Sequence, residues 1–228
     1  MNLLRLIMLL GILASPQSLA ALINNGDFAS CDLSGWQTDT DGAPGGANDF
    51  SIEGSAPNCS AGIHVDAANT DVFFANTLYQ ALDFTGMGLL KLSLDFSVDS
   101  ELTSQDNGFV ADYFAIGLGD GSGALFDQFG LSGSLIMPTD INGAADFSLS
   151  WLIDASLLSQ PNWTLEFQVL VGADRNGLTD FGRSSLFVHQ VSLEAVSSQV
   201  PEPVSLILML AGLLLLGRTL NNHQGARQ

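Results

Sequence analysis

Between Leu90 and Val98 apolar and polar residues alternate without a break: Leu90, Leu92, Leu94, Phe96 and Val98 against Lys91, Ser93, Asp95 and Ser97. A period of two places every apolar side chain on one face of an extended chain, the pattern of a half-buried strand. The pattern recurs at Phe114, Ile116 and Leu118. It recurs at Phe147, Leu149, Trp151 and Ile153, and at Trp163, Leu165, Phe167, Val169 and Val171, where Thr164, Glu166 and Gln168 form the opposite face. A further run of apolar and aromatic residues, Phe73 to Phe84, supplies one strand and part of another. The helical signal is weak; Asp154–Ser159 offers a single turn that Asp154 could cap. Many strands separated by turn residues, with almost no helix, predict an all-β domain built as a β-sandwich. Trp151 and Trp163 fall on the inward phase and are expected in its core.

The two ends of the chain are of another kind. Arg5 precedes an apolar run, Leu6–Ala14, and Ser18-Leu19-Ala20 provides small residues at the −3 and −1 positions, the layout of a secretory signal peptide. Residues 1–20 are therefore read as a removed leader, 21–199 as the β-sandwich ectodomain and 200–228 as a tail. In the tail, Val200-Pro201-Glu202-Pro203 is followed by the uncharged run Val204–Leu216 and then by Arg218 and Arg227. Each proline lacks a backbone N–H and fixes its own φ, so neither a strand nor a helix continues through this joint. Fourteen helical residues, 204–217, would span about 21 Å, short of a hydrocarbon core of roughly 30 Å. The run predicts a C-terminal transmembrane helix of marginal length, with the arginines favouring a cytoplasmic end.

The order Pro-Glu-Pro, apolar helix, arginine resembles the PEP-CTERM sorting signal. The resemblance implies that Pro201, Glu202, Pro203 and Arg218 form the signal, and that an exosortase, a membrane transpeptidase, is the processing partner. It further implies a Gram-negative host that secretes exopolysaccharide. The protein would be held transiently in the inner membrane before passing to the cell surface or extracellular matrix. The usual tight arginine cluster is replaced here by two arginines separated by TLNNHQGA.

Charge narrows the partners. Twenty-three of the 24 acidic residues but three of the six basic ones lie in 21–199, a net charge of about −20 for the ectodomain. Such a surface repels nucleic acid and anionic membranes. Scattered aspartates either keep an exported β protein soluble or converge on calcium, which takes six to eight oxygen ligands. Asp27, Asp174 and Asp180 are the candidate metal set, and no cofactor is required by the pattern. Cys31 and Cys59, the two cysteines, both lie in the exported part and predict a disulfide.

Leu22–Phe28 reads as a short strand running into a turn, and residues 38–62, dense in Gly, Asp, Asn, Ser and Pro, read as a long surface loop. The string NNGDFASCDLSGW, from Asn24 to Trp36, resembles the opening of bacterial jelly-roll domains of the galactose-binding type, which include carbohydrate-binding modules. Leu186–Leu193 resembles their closing strand. The resemblance implies a jelly roll whose last strand lies near the first. Ala29 and His189 stand where calcium-bearing relatives carry acids, which leaves that family's shared ion site without its ligands. Trp36 is a candidate sugar platform, with capping of the core as its other reading. His189 shares phase with Phe187, Val191 and Leu193 and is expected to be a core histidine, with Gln190 structural. Gly119-Asp120-Gly121-Ser122-Gly123 reads as a hairpin turn, because a single copy cannot make a stacked calcium repeat.

Catalytic constellations are missing from the sequence: there is no Gly-x-Ser-x-Gly elbow, no zinc-type histidine pair and no unpaired thiol if the disulfide forms. The expectation is a non-catalytic glycan-binding module associated with exopolysaccharide. A structural or adhesive matrix protein is the alternative, and a carbohydrate-active enzyme the minor one. Arg175 and Arg183 flank residues 176–182 and are candidates either for an acidic sugar or for local pairing with Asp174 and Asp180.

Overall fold

The computed structural model describes residues 22–40, 48–66, 75–100, 113–138, 141, 143–158, 162–170 and 183–196. The chain divides into two compact units, Met1–Ala195 and Val196–Gln228. The leader, the sorting tail, Arg175, Asp174 and Asp180 lie outside the described residues. Among those described, no helix is long and apolar enough to cross a membrane.

Ten strands follow in order: β1 (Gln37–Asp39), β2 (Phe50–Ser55), β3 (Asn58–Asp66), β4 (Asn76–Leu82), β5 (Leu89–Ser100), β6 (Tyr113–Gly119), β7 (Leu125–Phe126), β8 (Gly143–Asp154), β9 (Trp163–Leu170) and β10 (Arg183–Ala195). A first sheet runs β1-β4-β9-β6-β7 and a second β2-β3-β10-β5-β8, with antiparallel pairing throughout. From β3 to β10 the chain alternates between sheets, the β6–β7 hairpin counting as one visit to the first. That crossing order makes the sandwich a jelly roll. The alternation read from the sequence positions it: Leu90, Leu92, Leu94, Phe96 and Val98 from one sheet meet Phe114, Ile116, Leu118, Leu165, Phe167 and Val169 from the other, all buried. Apolar area removed from water on this scale stabilises by about 25 cal/mol per Å².

Three local expectations are corrected. The described residues of 38–62 are mostly strand: they hold the end of β1, all of β2 and the start of β3. The inward side chains of β3 include Cys59 and Ala61 before Ile63 and Val65, small enough to hide the alternation. Leu22–Phe28 forms turns rather than a strand, although Gly26 accepts a backbone hydrogen bond from Val191 of β10 at 2.7 Å. The buried side chain of Gln80 substitutes for ladder pairing there, accepting from Asn24 N at 2.7 Å and donating to Asn24 O at 2.9 Å. His189 is exposed and bonds Ser97 Oγ at 2.9 Å. A bulge between Val188 and Gln190 shifts the register, so Leu186 and Val188 point inward before it and Val191 and Leu193 after it.

Cys31 and Cys59 form a disulfide that ties the opening loop to β3. Closing a loop of this length contributes about 3 kcal/mol by restricting the unfolded chain. The expected cap is present: Asp154 accepts from Ser156 N at 3.0 Å and starts a 3-10 turn at Ala155–Leu157.

Candidate functional site

The outer face of the first sheet carries a trough of about 500 Å³. Strand register builds it row by row. Tyr79 on β4 stands opposite Glu166 on β9, which stands opposite Gly117 on β6. In the adjacent rows, Thr77 faces Gln168 and Ala115, and Ala81 faces Thr164 and Gly119. Asp39 of β1 pairs with Thr77, and Tyr113 opens β6 opposite Leu170. The outward positions of β6 are therefore Ala115, Gly117 and Gly119, almost without side chains and buried beneath their neighbours, while Gly121 and Gly123 beyond the strand join the lining. The walls are Tyr79 on one flank and Tyr113, 37% exposed, at the far end.

The two β6 glycines have a direct consequence. A Cβ at Gly119 would run into the Glu166 carboxylate, and one at Gly117 would lie 3.0 Å from Leu125 of β7. Glu166 can lie flat across β6 because position 119 has no side chain. Its Oε1 accepts from Thr164 Oγ1 at 2.6 Å and its Oε2 from Gln168 Nε2 at 2.9 Å. A carboxylate offers about four lone-pair positions, so two acceptor positions are left for another donor. The trough thus presents oriented polar groups between two aromatic rings. From strand geometry, Tyr79 and Tyr113 lie roughly 16 Å apart on a diagonal of the sheet, longer than a single pyranose ring.

A second polar cluster lies on the second sheet around buried His64. Its Nε2 is 2.7 Å from Ser51 Oγ, and its Nδ1 is 2.8 Å from Ser185 Oγ and 2.9 Å from Arg183 Nη2. A guanidinium only donates, so Nδ1 accepts and the ring proton sits on Nε2. Nε2 then donates to Ser51 Oγ, which donates onward to Glu53 Oε1 at 2.9 Å. Toward Ser51 the imidazole is the donor, the reverse of what a nucleophile and its base require, whereas Ser185 Oγ donates to Nδ1 and is buried. Burial, and next the positive charge of Arg183, hold the His64 pKa below its ordinary 6.5, against the opposing pull of Glu53 and Asp49.

The sequence candidates are distributed differently from the trough. Trp36 is 7% exposed, its ring stacks on Phe28, meets Phe167 edge-on and donates Nε1–H to Asn25 O at 3.1 Å. It caps the core and offers no face to a sugar. Arg183 belongs to the His64 cluster, not to the trough. Asp27 Oδ1 accepts from Ala29 N at 3.2 Å. Among the described residues no group of three or more His, Cys, Asp or Glu side chains could hold a metal ion. In the opening loop, Asp32 accepts from Ser34 and Ser30, bonds that hold its carboxyl below the usual range. Tyr79, Tyr113 and Asp39 were not among the sequence candidates. Thr164, Glu166 and Gln168 had shown only as the polar face of β9.

No family model matches the sequence, and no curated protein matches it. Solved structures of distant likeness include the carbohydrate-binding module TmCBM61 in complex with β-1,4-galactotriose. It is 12% identical and matches over 78% of this chain and 100% of its own, with a TM-score of 0.45. The Caldicellulosiruptor saccharolyticus module CBM27-1 with mannohexaose is 10% identical over 75% of this chain and 94% of that one, with a TM-score of 0.44. The enzymatically active domain of bacteriophage CBA120 tailspike protein 4 is 14% identical over 77% of this chain and 21% of that one, with a TM-score of 0.42. At these scores the assignment of the jelly roll rests on the strand order itself.

Proposed function

We propose that this chain is an exported, non-catalytic glycan-binding module and that the trough on the first sheet is its binding surface. The observation that carries this reading is the pairing of two outward tyrosines with the Thr164–Glu166–Gln168 ladder along one trough. A sugar presents an apolar C–H face and hydroxyl edges. Flat aromatic rings suit the first, and a fixed carboxylate and amide suit the second. Polysaccharide is the partner in this reading. Delivery follows the terminal signals: Sec export, recognition of Pro201-Glu202-Pro203 by an exosortase, then release to the surface or matrix. Calcium at Asp27, Asp174 and Asp180 is an optional structural ion.

The test is a glycan array probed with the full chain, with calcium and again with a chelator, beside Tyr79→Ala and Tyr113→Ala. Saturable binding that both variants weaken supports the reading, and loss with chelator adds the ion. A blank array with folded protein, including the producer's own polysaccharide, overturns it in favour of a structural matrix protein. Delivery is read separately, from the mass of the C-terminal peptide after growth with and without the exosortase.

A further inference from the structure

The charges of the described residues are divided between the two sheets. Lys91, His64, Arg183 and His189 are the basic side chains among them, and all four stand on β3, β5 and β10 of the second sheet. The trough on the first sheet is lined by two carboxylates, Asp39 and Glu166, and by no described base. Both hydrogen bonds to the Glu166 carboxylate come from neutral donors, the Thr164 hydroxyl and the Gln168 amide. They orient its charge without balancing it.

That imbalance decides what can cover the carboxylate. A sugar seated in the trough strips water from Glu166, and an ionised group taken out of water without a counter-charge is costly. A hydroxyl supplies a hydrogen bond but leaves the charge. A uronic acid adds a like charge beside Asp39 and Glu166. An ammonium supplies donor and counter-charge together, and charge-assisted bonds of this kind are about twice as strong as neutral ones. The aromatic lining works in the same direction. Tyr79 stands opposite Glu166 in the strand register, and a cation is attracted to the face of a tyrosine ring. Beyond β6 the lining passes to Gly121 and Gly123, where an added Cβ would meet nothing within 4 Å, so the approach is open.

We propose that the trough is selective for glycans that carry a free, protonated amino group, with Glu166 as its counter-charge. The proposal rests on the reading of the trough as a glycan-binding surface and names the sugar chemistry that surface prefers. A de-N-acetylated amino sugar is bound ahead of its N-acetylated, neutral and acidic counterparts.

The experiment is an array that carries each amino-sugar oligosaccharide as the free amine and after N-acetylation, beside neutral and uronate glycans. The full chain is applied at about pH 6, where a sugar amine is protonated, and at about 0.15 M salt, which screens the acidic surface beyond about 8 Å. Glu166→Gln and Tyr79→Ala are compared with Asp146→Asn, which removes one charge from the exposed outer face of β8. Glutamine at 166 can accept from Thr164 and, once the Gln168 amide turns over, donate to it, so the local structure is kept. The expected result is binding to free-amine glycans that falls about tenfold on N-acetylation and about tenfold in Glu166→Gln, with Asp146→Asn unchanged. Free-amine binding that Glu166→Gln and Tyr79→Ala leave intact, or that Asp146→Asn weakens equally, overturns the proposal in favour of attraction to the acidic surface at large. Neutral or uronate glycans bound as tightly as free amines, and weakened by Tyr79→Ala, overturn the amine selectivity while the glycan-binding reading stands. A blank array with folded protein overturns both.

Discussion

The two sheets share one core and one alternation, yet their outer faces differ. On the second sheet, β5 and β8 present Ser93, Asp95, Ser97, Asp146, Ser148 and Ser150, short polar side chains in facing pairs. On the first, tyrosines, a bonded carboxylate and an amide line a trough beside a strand whose outward positions are almost bare. Keeping a sheet soluble requires only the first kind of face. Shape together with oriented donors and acceptors sets the second apart, and is the basis of the binding role proposed for the first sheet.

The comparison breaks altogether if the shared core fails. Phe167 is fully buried beneath the trough and meets Trp36 edge-on. Phe167→Ala is expected to cost about 3–5 kcal/mol in denaturant unfolding, and to degrade both faces together. Tyr79→Ala and Tyr113→Ala should separate the faces. Each is expected to lower glycan affinity about tenfold, or about 1.4 kcal/mol, with the melting temperature little changed. Gly119→Ala sharpens the comparison further. A methyl group there displaces the Glu166 carboxylate, and a loss of affinity of about fivefold, roughly 1 kcal/mol, is expected in the same titration.

The second sheet should reveal itself through pH instead. The His64 pKa is lowered in the folded protein, so the unfolded chain binds its proton more readily. The stability from neutral His64 is complete above the ordinary 6.5 and is lost as pH falls through the lowered value. Melting temperature should therefore fall on going from about pH 7.5 to about pH 5, and His64→Gln should flatten that slope. Smallest of all, Ser150→Ala on the outer face of β8 should change stability by less than about 0.5 kcal/mol and leave glycan binding intact.

The sequence made the long strands legible because their inward residues are large: Leu90 to Val98, Phe147 to Ile153 and Trp163 to Val169 each announce a period of two. It concealed β3, where Cys59 and Ala61 are too small to mark a buried face. It misdirected at His189, since a bulge changes phase without any residue that signals it. The trough shows the same division. Glu166 and Gln168 were visible as a polar face, but nothing local places Tyr79 beside Glu166. That contact exists through pairing of strands more than eighty positions apart. The Gly119 position, which reads as part of a turn, acts by being empty beneath a carboxylate.

The most direct measurement is a backbone amide chemical-shift titration with an oligosaccharide chosen from the array. Binding through the trough predicts saturating shifts clustered at Thr77–Tyr79, Tyr113–Gly119 and Thr164–Gln168, with the outer residues of β8 and β10 unmoved. Shifts centred on Ser148–Ser150 or His189–Ser192, with the first sheet silent, would contradict the account.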